Sequence, residues 1–232
     1  MTISIAVTGK GGTGKTTITA LLIHILAEKM GRLILAIDAD PNSNLNEALG
    51  VPVSRTVGDI RERLLKEGYQ AVEQSKSEYM EDMIQSSIIE GESFDLIVMG
   101  RPEGPGCYCY VNHLLRKIID SISDRYPYVI MDAEAGLEHF SRRTTKDLDT
   151  LLITTDPTVR GIATARRIVD LVKELHIHVR RIYVIANRVP EQITERLKDQ
   201  IRKEGLDCIG VIREDPLVQE FDLEGRPLTA LP

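Results

Sequence analysis

Seven short aliphatic runs punctuate the chain, at residues 3–7, 33–37, 94–99, 128–131, 151–154, 182–186 and 208–212. They are near-continuous in apolar residues and do not alternate with polar ones, as expected of strands buried on both faces. Between most of them lie stretches with helical spacing, at 16–30, 111–123, 162–175 and 191–203. Strands alternating with helices predict one doubly wound α/β domain over 1–232, with a mostly parallel sheet flanked by helices. Gly31 stands where the first helix should stop. Residues 53–91 are polar, charged and helical in character, and carry the least information. No repeat, low-complexity tract or Pro-rich linker divides the chain.

In such sheets, ligands collect at the carboxyl ends of the strands. The chemically loaded residues fall there: after Val7, after Ile37, after Met99, at Asp132, after Thr154 and at Asn187. The first group is Gly9-Lys10-Gly11-Gly12-Thr13-Gly14-Lys15-Thr16, which fits the Walker A pattern G-x-x-x-x-G-K-[ST] between a strand and a helix. Its glycines let successive N–H groups turn inward around phosphate oxygens, and the helix N-terminus adds a favourable field. Lys15 is placed to reach the β- and γ-phosphates, the Thr16 hydroxyl to ligate Mg²⁺, and Thr17 to complete the nucleotide loop. Asp38 and Asp40 follow the second strand. A carboxylate there can accept a hydrogen bond from an attacking water, or it can simply cap the next helical turn. Val129-Ile130-Met131-Asp132 is a hydrophobic strand ending in aspartate, the Walker B signature, which assigns Asp132 to magnesium.

Composition narrows the class without changing this picture. Apolar residues make up 42% and aromatics 4%, so the core must be aliphatic. The balance of 29 basic against 35 acidic residues, a net charge of -6, lacks the basic footprint of a nucleic-acid binder. The longest apolar stretch, 18–27, is interrupted by His24 and too short to span a bilayer, so a cytoplasmic protein without membrane or nucleic-acid partners is expected. Three cysteines, an odd number, do not form a disulfide framework. Cys208 reads as a small apolar side chain in a strand. Cys107 and Cys109 stand together in a Gly/Pro loop. They are either incidental or two thiolates presented on one side, half of a tetrahedral metal site. Across a twofold axis, two such loops would close one four-sulfur site.

The second lysine of the loop, in Lys10-Gly11-Gly12-Thr13-Gly14-Lys15-Thr16, resembles the deviant Walker A ATPases: MinD, ParA and the nitrogenase iron protein. The resemblance implies a homodimer binding ATP/ADP and Mg²⁺. In it Lys10 crosses to the partner's ATP, Asp40 orients or deprotonates the attacking water, and Asp38 holds magnesium-bound water. It also makes Gly136 the γ-phosphate-sensing glycine of switch II, and Asn187 with Arg188 contacts to the nucleotide. The segment 213–216 resembles a late base-contacting loop.

Gly-Arg-Pro-Glu-Gly-Pro-Gly-Cys-Tyr-Cys, at 100–109, looks like the accessory ATPases of carbon monoxide dehydrogenase and acetyl-CoA synthase (CooC-type). That resemblance implies ATP-driven nickel insertion into such a client enzyme, with Cys107 and Cys109 of two subunits sharing one Ni²⁺ or Zn²⁺ per dimer. Residues 132–140 offer Glu134, Glu138 and His139 but no cysteine, which departs from the nitrogenase iron protein. The membrane-targeting tail of MinD is likewise not seen in the sequence. A regulatory or positioning ATPase, an ATP-gated iron–sulfur electron donor and a passive zinc-stabilised dimer are the alternative readings.

Overall fold

The computed structural model describes residues 2–31, 33–40, 44–66, 82, 84–100, 120–134 and 148–232. The seven aliphatic runs become seven strands of one sheet, and a short β3 outside them makes an eighth: β1 Ile3–Gly9, β2 Ile34–Asp38, β3 Ile89–Glu90, β4 Phe94–Val98, β5 Tyr128–Asp132, β6 Leu148–Thr155, β7 Val179–Ala186 and β8 Cys208–Val211. Their order is β3-β4-β2-β5-β1-β6-β7-β8. All pairings are parallel except the short β3, which runs antiparallel to β4 at the edge. The chain builds outward from β1 to β4, returns to insert β5 between β2 and β1, then builds outward on the other side. The doubly wound expectation holds.

The strands bury both faces, which is why the runs are continuous. On β2, Ile34 and Ala36 pack with Ala20 and Ile23 of helix α1 (Lys15–Met30), Phe221 and Leu228. The intervening Leu35 and Ile37 pack on the opposite face with Val57 and Ile60 of α3 (Val57–Lys66), whereas α2 (Leu45–Leu49) joins the α1 face through Leu45 and Leu49. A further core joins β6 to α4 (Val159–Glu174) and α5 (Thr194–Lys203) through Leu151, Ile153, Ile162, Ala165 and Leu197. Helix α1 is apolar nearly all round because it is covered a second time, by α2 and the C-terminal turn. It ends at Gly31, in the left-handed region at φ 54°, whose N–H donates to the Ala27 carbonyl at 3.0 Å.

Several boundaries differ from the sequence expectation. β6 and β7 each begin three residues earlier, at Leu148 and Val179. Their first turns carry Asp149 and Arg180, paired at 2.9 Å at the amino-terminal rim of the sheet, where charge interrupts the apolar pattern. The stretch expected as one helix over 191–203 is a 3₁₀ turn, Glu191–Ile193, followed by α5. Helix α6 (Pro216–Glu224) was not expected; Asp215 caps it by accepting the Leu217 N–H at 2.9 Å. Among the described residues, no helix is long and apolar enough to cross a membrane.

Candidate functional site

The phosphate loop leaves β1 at Gly9 and enters α1 at Lys15. Gly14, at φ 85°, turns the chain into the helix, which starts with no side-chain cap and no acidic residue in its first turn. Its free N–H groups are thus left for an anionic ligand. A methyl group on Gly14 would come within 2.3 Å of the Asn187 amide nitrogen, so only glycine permits the close approach of β7.

Beneath the loop, hydroxyls and one amide fix its shape. The buried Thr13 hydroxyl donates to the Lys10 carbonyl at 2.8 Å and lies 2.7 Å from the Thr154 hydroxyl at the end of β6. Asn187 Nδ2 donates to the Thr13 carbonyl at 2.9 Å. Thr8 donates to the Glu134 carbonyl at 2.9 Å, tying the loop's entry to the segment after β5. Arg188 reaches the Gly12 carbonyl with Nη1 at 3.5 Å, from a left-handed backbone conformation at φ 56°. Such a conformation costs a bulky residue about 1–2 kcal/mol and marks a constrained position.

On the other side stand the carboxylates. β2 and β5 pair in register with Asp38 beside Asp132, and both are fully buried. The Thr16 hydroxyl donates to Asp132 Oδ2 at 2.6 Å, while Asp132 Oδ1 is buried with no hydrogen-bond partner among the described residues. A buried carboxylate oxygen without a partner costs roughly 1–3 kcal/mol or more unless a ligand meets it. Burial raises the Asp132 pKa from 3.8 to about 6, partly offset by the Thr16 hydroxyl and the Lys15 ammonium. Burial also raises Asp38 to about 7, against hydrogen bonds from the Leu45 and Asp40 amides. Those amides, 3.1 Å from Oδ2 and Oδ1 respectively, take both oxygens of Asp38. Asp38 therefore shapes the chain between β2 and α2, which is the capping alternative, while standing beside Asp132. Lys15 is buried at 8% exposure, and no described carboxylate forms an ion pair with it. A buried cation and an unpartnered carboxylate oxygen at the mouth of one loop fit a phosphate chain with a divalent ion.

Thr17, Asn187, Arg188 and the 213–215 segment line one pocket of about 310 Å³ beside the loop. A second cleft of about 650 Å³ runs from Thr16 and Thr17 along α2 to the C-terminal turn. The predicted nucleotide residues 10–17, Asp38, Asp40, Asp132, Asn187 and Arg188 thus converge at one edge of the sheet. Among the described residues, no group of three or more His, Cys, Asp or Glu side chains could hold a metal by itself. A magnesium ion held mainly by phosphates and water needs no such cage. Cys107, Cys109 and Gly136 lie outside the described residues, as do His113 and His139. His176 and His178 are exposed, as expected of solvated residues.

The CobQ/CobB/MinD/ParA nucleotide binding domain matches this sequence over residues 4–228. The chain belongs to that family. The ATP-binding P-loop fold of this CobQ/CobB/MinD/ParA member, and the nucleotide-with-magnesium chemistry of its site, follow from membership. An uncharacterized ATP-binding protein of Methanocaldococcus jannaschii is 47% identical over 98% of this chain and 91% of its own length. The carbon monoxide dehydrogenase accessory protein CooC of Rhodospirillum rubrum is 33% identical, over 96% of this chain and 88% of its own. Among solved structures, the MinD cell division protein of Aquifex aeolicus superposes with a TM-score of 0.70 at 25% identity, over 97% of this chain and 88% of that one.

Sequence reasoning missed Thr154 and Asp156 as parts of this family site. Thr154 ends the run at 151–154 and Asp156 follows it, so the carboxyl-end rule pointed at their position but not at their partners. Asp156 Oδ2 lies 3.3 Å from Lys10 Nζ.

Proposed function

We propose that this protein is an ATP-hydrolysing homodimer that inserts nickel into carbon monoxide dehydrogenase or acetyl-CoA synthase. The observation that carries the ATPase half is the buried Asp132 carboxylate, with one oxygen on Thr16 and the other without a partner among the described residues, beside the buried Lys15. Lys15 neutralises the β- and γ-phosphates, and Asp40 holds and polarises the attacking water. Thr16 and Asp132, with Asp38 behind them, hold magnesium, which supplies charge neutralisation on the phosphates. Asn187, Arg188 and the 213–215 segment form the wall for the base. The exposed Gly11 and Gly12, beside the half-buried Lys10, support a face where a second copy brings Lys10 to its partner's nucleotide.

The metal half rests on the Cys107/Cys109 pair and on the 33% identity to a carbon monoxide dehydrogenase accessory protein. Two subunits contribute two thiolates each, so one Ni²⁺ or Zn²⁺ per dimer is the expected stoichiometry. ATP controls such a site because the halves meet only in the closed dimer. The likeness to MinD favours a second reading, a regulatory or positioning ATPase with no use for the cysteines. Metal content and oligomeric state, measured together with ADP and with a non-hydrolysable ATP analogue, separate the two. One thiolate-bound metal per dimer, lost in Cys107→Ala or Cys109→Ala with nucleotide binding intact, is the expected result. Metal-free dimers, or one metal per monomer that survives both substitutions, would give the regulatory reading the lead.

A further inference from the structure

Lys10 carries its charge on an exposed loop, yet its ammonium has a partner within its own chain. Asp156, immediately after β6, holds it at 3.3 Å, with Lys10 at 42% and Asp156 at 28% exposure. The carboxylate is oriented for this task. Its Oδ1 accepts the Thr158 N–H at 3.2 Å and also the Thr158 hydroxyl, which leaves Oδ2 for Lys10. Thr158 in turn caps α4, its hydroxyl accepting the Gly161 N–H at 3.0 Å. The space is made by Gly161, where a methyl group would come within 2.1 Å of Asp156 Oδ1. The cap of a sixteen-residue helix therefore fixes one oxygen of Asp156 and aims the other at the phosphate loop.

We propose that Asp156 is a positioning residue that latches Lys10 in cis, so that the lysine must leave it to serve a partner's nucleotide. This rests on the trans role given to Lys10 above. A partly exposed ion pair suits a latch, since its equilibrium weight is a factor of about 1.5 to 5, enough to bias but not to block release. A symmetric dimer opens two such latches, so together they should weaken assembly by about 2- to 25-fold. Once Lys10 departs, water can reach Oδ2, while Thr158 still holds Oδ1.

Two variants break the latch from opposite sides. Asp156→Asn keeps the acceptor for Thr158 but removes the charge. Gly161→Ala displaces the carboxylate from the helix cap. In nucleotide-free full-length protein, acylation of Lys10 by an amine-reactive reagent, read by peptide mass spectrometry against the exposed Lys173, should be about 1.5 to 5 times faster in both. With magnesium and a non-hydrolysable ATP analogue, the dimerisation constant from sedimentation should tighten by about 2- to 25-fold in both. Unchanged labelling in the well-folded Asp156→Asn protein would overturn the latch, as would a weaker dimer, which would place Asp156 in the assembled state instead. If neither wild type nor variants dimerise with the analogue, the dimer reading fails by itself. The labelling contrast then decides whether Asp156 restrains Lys10.

Discussion

The two flanks of the phosphate loop are built from the same kind of parallel strand and hold opposite chemistry. On the β6–β7 flank, Thr13, Thr154 and Asn187 bond to one another or to the loop backbone at 2.7–2.9 Å. On the β2–β5 flank, two buried carboxylates sit in register, one with an oxygen that has no partner among the described residues, and both have raised pKa values. A satisfied network rigidifies, whereas an unsatisfied one stores unfavourable energy that a ligand can relieve. One flank is scaffold and the other is where cation and water chemistry belongs.

The largest test of this contrast is Asp40→Asn on the carboxylate flank. It preserves shape but removes the charge that would hold the attacking water, so ATP hydrolysis should fall by roughly 10²-fold or more while nucleotide still binds. Phosphate release and equilibrium nucleotide binding, measured side by side, check this; unimpaired turnover would move the catalytic role off this flank.

Next in size is a pH effect. Asp132 and Asp38 have folded pKa values raised from 3.8 to about 6 and about 7. In nucleotide- and magnesium-free solution, the folded chain then binds more protons than the unfolded chain between about pH 4 and pH 7, and stability falls as pH rises through that window. Asp132→Asn should flatten the fall and raise Tm at pH 8 by several degrees. Thermal melts across pH measure it, and a Tm at pH 8 below that of wild type would contradict the assignment of Asp132 as a destabilised carboxylate.

The smallest effect is expected on the scaffold flank. Thr154→Val replaces one hydroxyl by a methyl of similar shape and leaves Thr13 its bond to the Lys10 carbonyl. Stability should drop by about 1 kcal/mol, with nucleotide affinity reduced severalfold at most and kcat retained. A loss of turnover comparable to that of Asp40→Asn would erase the distinction between the flanks.

Most of the fold and the heart of the site were legible in the sequence because they depend on local pattern. Continuous aliphatic runs mark doubly buried strands, and the spacing from Gly9 to Thr16 specifies a loop in which Gly9, Gly12 and Gly14 take positive φ. What escaped depended on contacts between distant segments. Thr154-Thr155-Asp156-Pro157-Thr158 reads as a strand end and turn, and nothing local reveals that Asp156 faces Lys10. Asp38 reads as a carboxylate that holds magnesium-bound water, and only the fold shows that the Leu45 and Asp40 amides take one of its oxygens each. β3 is two residues long, too short to leave a pattern. Helix α6 did carry its signals, with Asp215 before Pro216 and Gly225 after its end, but its one fully buried aromatic, Phe221, has a role only once α1 is in place.

The central position of β1 also governs how the chain reaches its native state. Its residues pair with Tyr128–Asp132 on one side and Thr150–Thr154 on the other, so neither edge finds its partner until synthesis has passed residues 128–132 and 150–154. An apolar N-terminal strand with both edges open is prone to adhere to other chains, and pairings this distant in sequence close slowly. The phosphate loop acquires its shape only when β6 and β7 arrive to brace it. ATP thus has nothing to bind until folding is nearly complete, and it then stabilises only chains that have finished.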